Sequence, residues 1–152
     1  MKTAKGFTLI ELLVVIAIIG ILSSVVLASL KTARDKGTDA TIISDIDGIR
    51  AQAEIYYGDN GNRYGSNSGI ESECDPAVAT DNLFSDSTIA RQIAAATAVN
   101  SGGSVVCNVD DGGASYVVSV QLVADSTLYY CVDSSSVGQK NSFQITATDT
   151  HC

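Results

Sequence analysis

Histidine occurs once in these 152 residues, at His151, and none of the four cysteines falls in a C-x-x-C pair. A single histidine rules out a Ser/His/Asp or Cys/His catalytic set. Its place beside the last cysteine lacks the close ligand spacing of a zinc site. No Gly-rich phosphate loop follows a strand. Asp110-Asp111 stands beside glycines and reads as a turn, so an enzyme is the weakest reading and no cofactor or metal is expected. Basic residues are scarce as well. Beyond Arg91, His151 aside, Lys140 is the only one. Nucleic-acid surfaces need clustered Lys and Arg to displace counterions, so no direct nucleic-acid binding is expected.

Acid and oil are present instead. The formal charge is −8, and from Phe7 onward 7 basic residues face 17 acidic ones. That balance gives a soluble, self-repelling surface. Apolar residues concentrate in one block, Phe7 to Leu30, and the remainder is rich in Ser, Thr, Asp, Asn and Gly. About 120 residues follow the block, enough for one modest core. An even cysteine count behind a membrane segment fits an oxidising compartment and two disulfides. Of the three connectivities of Cys74, Cys107, Cys131 and Cys152, the sequential one is preferred. Cys74–Cys107 and Cys131–Cys152 close short loops, and the second pins the chain end.

As a helix, residues 7–30 would extend about 36 Å against a hydrocarbon core of roughly 30 Å. Lys2 and Lys5 precede the block, which puts the N-terminus in the cytoplasm and the bulk of the chain outside. Lys31, Arg34 and Lys36 oppose that vote, but a long domain translocates largely regardless of charge. A secretory signal peptide is the rival reading. Its apolar region is shorter than this one, and no A-x-A closes the run, although "VLA" at 26–28 is a passable substitute.

Glu11 is the anomaly. A carboxylate inside a spanning helix costs about 2.5 to 3.5 kcal/mol, so a partner is expected. Cutting at Gly6–Phe7 would create an α-amine on Phe7, one helical turn before Glu11, and an in-chain pair is one solution. The dipole at the helix start is another. A third is the amine of a neighbouring copy, which would make helix assembly in lipid depend on register.

The stretch K-G-F-T-L-I-E-L-L-V-V-I-A-I-I-G-I-L resembles the N-terminus of type IV pilins and of type II secretion pseudopilins, closely over residues 5 to about 30 and loosely over the next 30. The resemblance implies that a membrane prepilin peptidase cuts Gly6–Phe7 and methylates the Phe7 amine, and that Glu11 pairs with that amine during assembly. Many members carry a proline midway along the apolar helix. This segment has none, and Gly20 and Ser23-Ser24 are its available weak points. Alternatively, those small residues let neighbouring helices approach.

Residues 31–57 continue the helix with a new pattern. Ile42, Ile46, Ile49, Ala53 and Tyr56 form an apolar stripe at helical period. Asp35, Asp39, Asp45, Arg50 and Glu54 are assigned to the other faces, with Arg50 and Glu54 at pairing distance. Gly48 costs about 1 kcal/mol relative to Ala. "YYGDNGNRYG" at 56–65 ends the helix. Asp59, Asn60 and Asn62 lack the full calcium-loop pattern and read as a turn. Within residues 58–102, "SDSTIARQIAAATAVN" reads as a short helix capped by Ser85, Asp86 or Ser87 and closed near Asn100-Ser101-Gly102. The remainder, 103–152, holds four β-rich stretches, 104–109, 115–123, 127–133 and 142–149. Asp111-Gly112-Gly113 and Ala124-Asp125-Ser126 are tight-turn candidates between them. An antiparallel meander follows, with one face apolar and the other mixed.

The expected class is α+β: a long N-terminal helix, transmembrane in its first half, packed on a small antiparallel sheet, as in the type IV pilin fold. Residues 1–6 are the leader, 7–30 the assembly helix and 31–57 its amphipathic continuation. The expected function is that of a structural subunit of a type IV pilus. The chain would be held in the inner membrane, cut by prepilin peptidase, extracted by a pilus assembly platform and polymerised with copies of itself into an extracellular filament. Such fibres serve adhesion, twitching motility and DNA uptake. A minor pilin or a secretion pseudopilin shares every N-terminal feature. A membrane-anchored extracytoplasmic binding domain is the alternative from another class.

Overall fold

The computed structural model describes residues 6–65, 74–76, 81–100, 102–135, 138–146 and 148–152. The leader residues 1–5, parts of the 58–102 loop including Ser101, residues 136–137 and Ala147 lie outside them. The chain forms two compact units, Met1–Asp35 and Lys36–Cys152. One helix, α1 (Leu9–Asp59), contributes to both.

In the first unit α1 is apolar all round. Every large apolar side chain from Leu9 to Leu30 is exposed, so the segment has no core of its own to bury them in. It is long and apolar enough to cross a membrane. The helix runs unbroken through Gly20 and Ser23-Ser24. The Ser24 hydroxyl donates to the Ile21 carbonyl at 2.7 Å, so this polar group is satisfied inside its own helix. At the end of the unit Lys31 pairs with Asp35 at 3.1 Å across one turn.

In the second unit the apolar stripe does ordinary core work. Ile42, Ile46, Ile49 and Ala53 are fully buried, and Tyr56 packs partly buried beside them. Burial of each isoleucine stabilises by about 1.5 to 3 kcal/mol relative to exposure. Gly48 has a reason as well: a Cβ there would run into the Gln92 amide of the short helix α2 (Ser87–Val99). Asp86 is the cap of α2. Its Oδ1 accepts the Thr88 and Ile89 amides at 2.9 and 3.1 Å.

Four strands, β1 (Val105–Val109), β2 (Tyr116–Gln121), β3 (Tyr129–Asp133) and β4 (Gly138–Asn141), form an antiparallel meander in sequence order. Val118 is the register centre, opposite Cys107 on one side and Val132 on the other. Tyr116, Val118, Val120, Tyr130 and Val132 join the α1 stripe in one core. The opposite face holds Val117 and Cys131, which pack with Ile145 from the C-terminal tail.

The fourth strand departs from expectation. Residues 142–149 are not a strand among the described residues; β4 is formed by Gly138–Asn141 instead. A short hairpin after Asp133 brings this polar segment beside β3 first. The β-branched tail then crosses the far face of the sheet. It is held by Asn108 Nδ2 donating to the Asp149 carbonyl at 2.9 Å and by the Cys152 amide donating to Asp133 Oδ2 at 2.9 Å.

Three acids of α1 bind the rest of the unit: Asp39 and Glu54, which the helical pattern made available for the other faces, and Asp47. Asp39 is buried, and its Oδ1 accepts the Val123 and Ala124 amides at 2.6 and 3.2 Å. Asp47 Oδ1 accepts the Tyr130 hydroxyl at 2.8 Å and lies 3.4 Å from Arg50 Nη1. Glu54 Oε1 accepts the Tyr64 hydroxyl at 2.8 Å. Tyr64 also stacks between Tyr57 and Tyr116, each 4.8 Å away by ring centroid.

Asp39→Ala leaves two backbone amides without an acceptor and should lower unfolding free energy by about 1 to 3 kcal/mol in chemical denaturation of the detergent-dispersed chain. Burial, and then the Asp47 carboxylate, push the Tyr130 hydroxyl from 10.0 up to about 12. Its contribution to stability is complete below pH 10 and lost as pH rises towards 12. Tyr130→Phe should therefore flatten that alkaline fall. An alkaline limb unchanged by the substitution would show that the hydroxyl titrates as in the unfolded chain.

Candidate functional site

The candidate site is the start of α1. Gly6 and Phe7 precede the helix, and Phe7 is 81% exposed. The Gly6–Phe7 bond thus lies in non-helical, accessible backbone, where a peptidase can reach it.

Thr8 opens the helix. Its carbonyl accepts the first helical bond, from the Leu12 amide at 3.3 Å. Its side chain and that of Glu11 cap each other. Glu11 Oε2 accepts the Thr8 amide at 2.8 Å and the Thr8 hydroxyl at 2.7 Å, and Thr8 Oγ1 accepts the Glu11 amide at 3.3 Å. This is a capping box, T-x-x-E, at the positive end of the helix dipole. The carboxylate therefore sits at the one point of an apolar helix where unpaired N–H groups are available. Glu11 Oε1 accepts no hydrogen bond among the described residues, which leaves an acceptor for an incoming donor.

Thr8, rather than an amine, is the partner of Glu11 within the chain. T-L-I-E directly before an apolar run was the available signal. Asp39 and Asp47 carry no such signal: the Val123 and Ala124 amides and the Tyr130 hydroxyl reach them only in the folded unit.

The cysteines lie in the other unit. Cys74 is bonded to Cys107 and Cys131 to Cys152, closing separations of 33 and 21 residues. The second bond holds the tail against β3 beside the Asp133–Cys152 hydrogen bond. No cluster of three His, Cys, Asp or Glu side chains able to hold a metal occurs among the described residues.

Comparison with known proteins converges on the same N-terminal segment. Residues 1–27 match the family model of the prokaryotic N-terminal methylation motif. Over 67 residues the chain is 46% identical to the type IV wide pilus major component PilA4 of Thermus thermophilus, covering 44% of this chain and 50% of that protein. It is 38% identical over 68 residues to the type II secretion system core protein G of Escherichia coli, covering 45% and 47%. A probable minor fimbrial protein of Dichelobacter nodosus is 32% identical over 85 residues, covering 56% and 52%. The chain thus spans about half the length of the curated relatives it matches. No solved structure matches.

Thr8→Val removes both the hydroxyl donor and the cap. It should cost the first turn about 1 kcal/mol, read in micelles as roughly fivefold faster hydrogen exchange at the amides of the first turn. Unchanged exchange would show that the capping box does not hold the helix start.

Proposed function

We infer that this chain, whose N-terminal segment belongs to the pilin and pseudopilin family, polymerises as a structural subunit of a type IV pilus. That it is a pilin or pseudopilin subunit is supported by its motif and by its relatives. The pilus is the finer reading. The observation that carries assembly through the helix start is Glu11: a carboxylate four residues after Phe7, in an otherwise uncharged run, with one oxygen capped by Thr8 and the other open; the four cysteines and the incomplete calcium-loop pattern lean from a pseudopilus towards a pilus.

In this reading the chain begins as a membrane precursor with residues 31–152 outside. Prepilin peptidase hydrolyses the Gly6–Phe7 bond, residues 1–6 leave as the leader, and the new Phe7 amine is methylated. No catalytic step belongs to the chain itself. The methylated amine stays protonated, and its nearest use is at Glu11 Oε1 of an adjoining subunit. There the ammonium and the carboxylate neutralise each other away from water. An assembly platform extracts the helix, and contacts of residues 7–30 with lipid are exchanged for contacts with the same segment of other copies. Residues 31–57 carry the sheet outward as the coat. A secretion pseudopilus would use the same chemistry, and abundance separates the two, because a major pilin is the main component of sheared surface filaments.

Mass analysis of such filaments should find residues 7–152 carrying one added methyl group and two disulfides. Glu11→Ala should be cut and remain in the membrane but fail to enter filaments. Gly6→Leu should accumulate uncut. Normal filament yield from the Glu11 variant, or Phe7 at the N-terminus of the Gly6 variant, would overturn the assignment.

A further inference from the structure

Three of the seven basic side chains that follow Gly6 crowd into residues 31–36, where Lys31, Arg34 and Lys36 stand against Asp35 alone. The other four are spread over residues 37–152 among fifteen acids. The densest positive charge beyond the leader therefore begins at the residue after Leu30, where the apolar run stops. Its place is unusual, because basic residues ordinarily gather on the cytoplasmic side of a spanning segment, and here they follow the segment on its outer side.

Lys31 and Arg34 belong to the first unit and are exposed. They are three residues apart, on one side of α1. The Lys31 side chain is 81% exposed and pairs with Asp35 at 3.1 Å. An ion pair that open to solvent contributes little, so the ammonium can exchange it for another anion. Directly before these cations the helix presents exposed Val25, Val26, Leu27 and Leu30. Glu11 and Lys31 stand twenty residues apart on the same unbroken helix, about 30 Å along its axis. That length equals the thickness of the hydrocarbon core, roughly 30 Å.

We propose that Lys31 and Arg34 dock on the phosphate groups of anionic phospholipid at the outer face of the membrane that residues 7–30 cross. Position names the occupant. In a spanning helix, the residues one and four places beyond the last apolar side chain lie at headgroup depth, and long basic stems reach the phosphate layer there. The acids from Asp39 onward lie farther along the helix. The contact also sets the depth of the chain. With Lys31 among the outer headgroups, Glu11 comes to the opposite headgroup layer, and its open oxygen waits at the water boundary rather than in the middle of the bilayer. The inference rests on the membrane placement of residues 7–30, and holds for a pilin and a pseudopilin alike.

Native mass spectrometry of the full chain in an uncharged detergent, titrated with phosphatidylglycerol or with phosphatidylcholine of the same acyl chains, tests this. A basic residue at an anionic surface favours it about fivefold, so phosphatidylglycerol should be retained at least about fivefold over phosphatidylcholine. Lys31→Gln combined with Arg34→Gln should abolish the preference, and Lys31→Arg should keep it. Arg63→Gln, which removes a cation far from the apolar run, should keep it too. Equal retention of the two lipids by the unsubstituted chain overturns the docking, and so does a preference that survives the double substitution. Inorganic phosphate retained by the unsubstituted chain and lost with the double substitution would assign the cations to a free anion, and overturns lipid docking as well. Release of the chain from phospholipid vesicles by alkaline carbonate would overturn the membrane placement itself, a failure distinct from loss of lipid preference.

Discussion

Ile42, Ile46, Ile49 and Ala53 lie on one face of α1 and are fully buried against the sheet. Everything else in the second unit is arranged around that face. The sheet turns Tyr116, Val118, Val120 and Val132 towards it, and α2 approaches closely enough that a Cβ at position 48 would displace the Gln92 amide. The apolar stripe supplies the attraction but no direction along the helix axis, since one isoleucine can stand against a valine as well as the next. Asp39, Asp47 and Glu54 supply the register. Each accepts hydrogen bonds from a different part of the unit: the β2–β3 turn, Tyr130 on β3, and Tyr64 at the helix exit. Asp39 is buried, so a shift of one turn would leave its carboxylate unmatched at a cost, while Asp47 and Glu54 would lose the partners that mark the register.

The same helix solves a different problem at its start. There it has no core to enter, and its apolar side chains are left for lipid or for other helices. A carboxylate in such a segment is tolerable only where donors exist. The helix N-terminus offers them through Thr8 and its own unpaired amides. Glu11 thus has a local anchor before any partner arrives. That anchor fixes the side chain near Phe7 and leaves one oxygen open. The position suits selective pairing better than a flexible acid farther along the helix would.

The far face of the sheet is held by other means. The Cys131–Cys152 disulfide, the Asp133–Cys152 and Asn108–Asp149 hydrogen bonds and the buried Ile145 fasten the tail. Covalent closure compensates for a small apolar cluster in this compartment. Among the described residues beyond Leu30, Ile55, Val99 and Phe143 are the exposed large apolar side chains.

Sequence alone determined the long apolar run, the acid within it, the 3.6-residue stripe that follows, the cap of α2 at one of three adjacent residues and the alternation of β2. These are local patterns, set by one residue's relation to its near neighbours, and the capping box of Thr8 and Glu11 was equally local although unread. The tertiary structure decided the rest. Asp39 and Asp47 carry no local sign of their contacts with the sheet unit, because the Val123 amide and the Tyr130 hydroxyl that reach them lie more than eighty positions away. The fourth strand is Gly138–Asn141 because this segment follows β3 closely enough to pair back onto it, and the β-prone tail beyond it packs on the far face instead. Periodicity reports which face of an element is apolar; which donor, strand or cation finally stands against that face depends on chain closure over long separations.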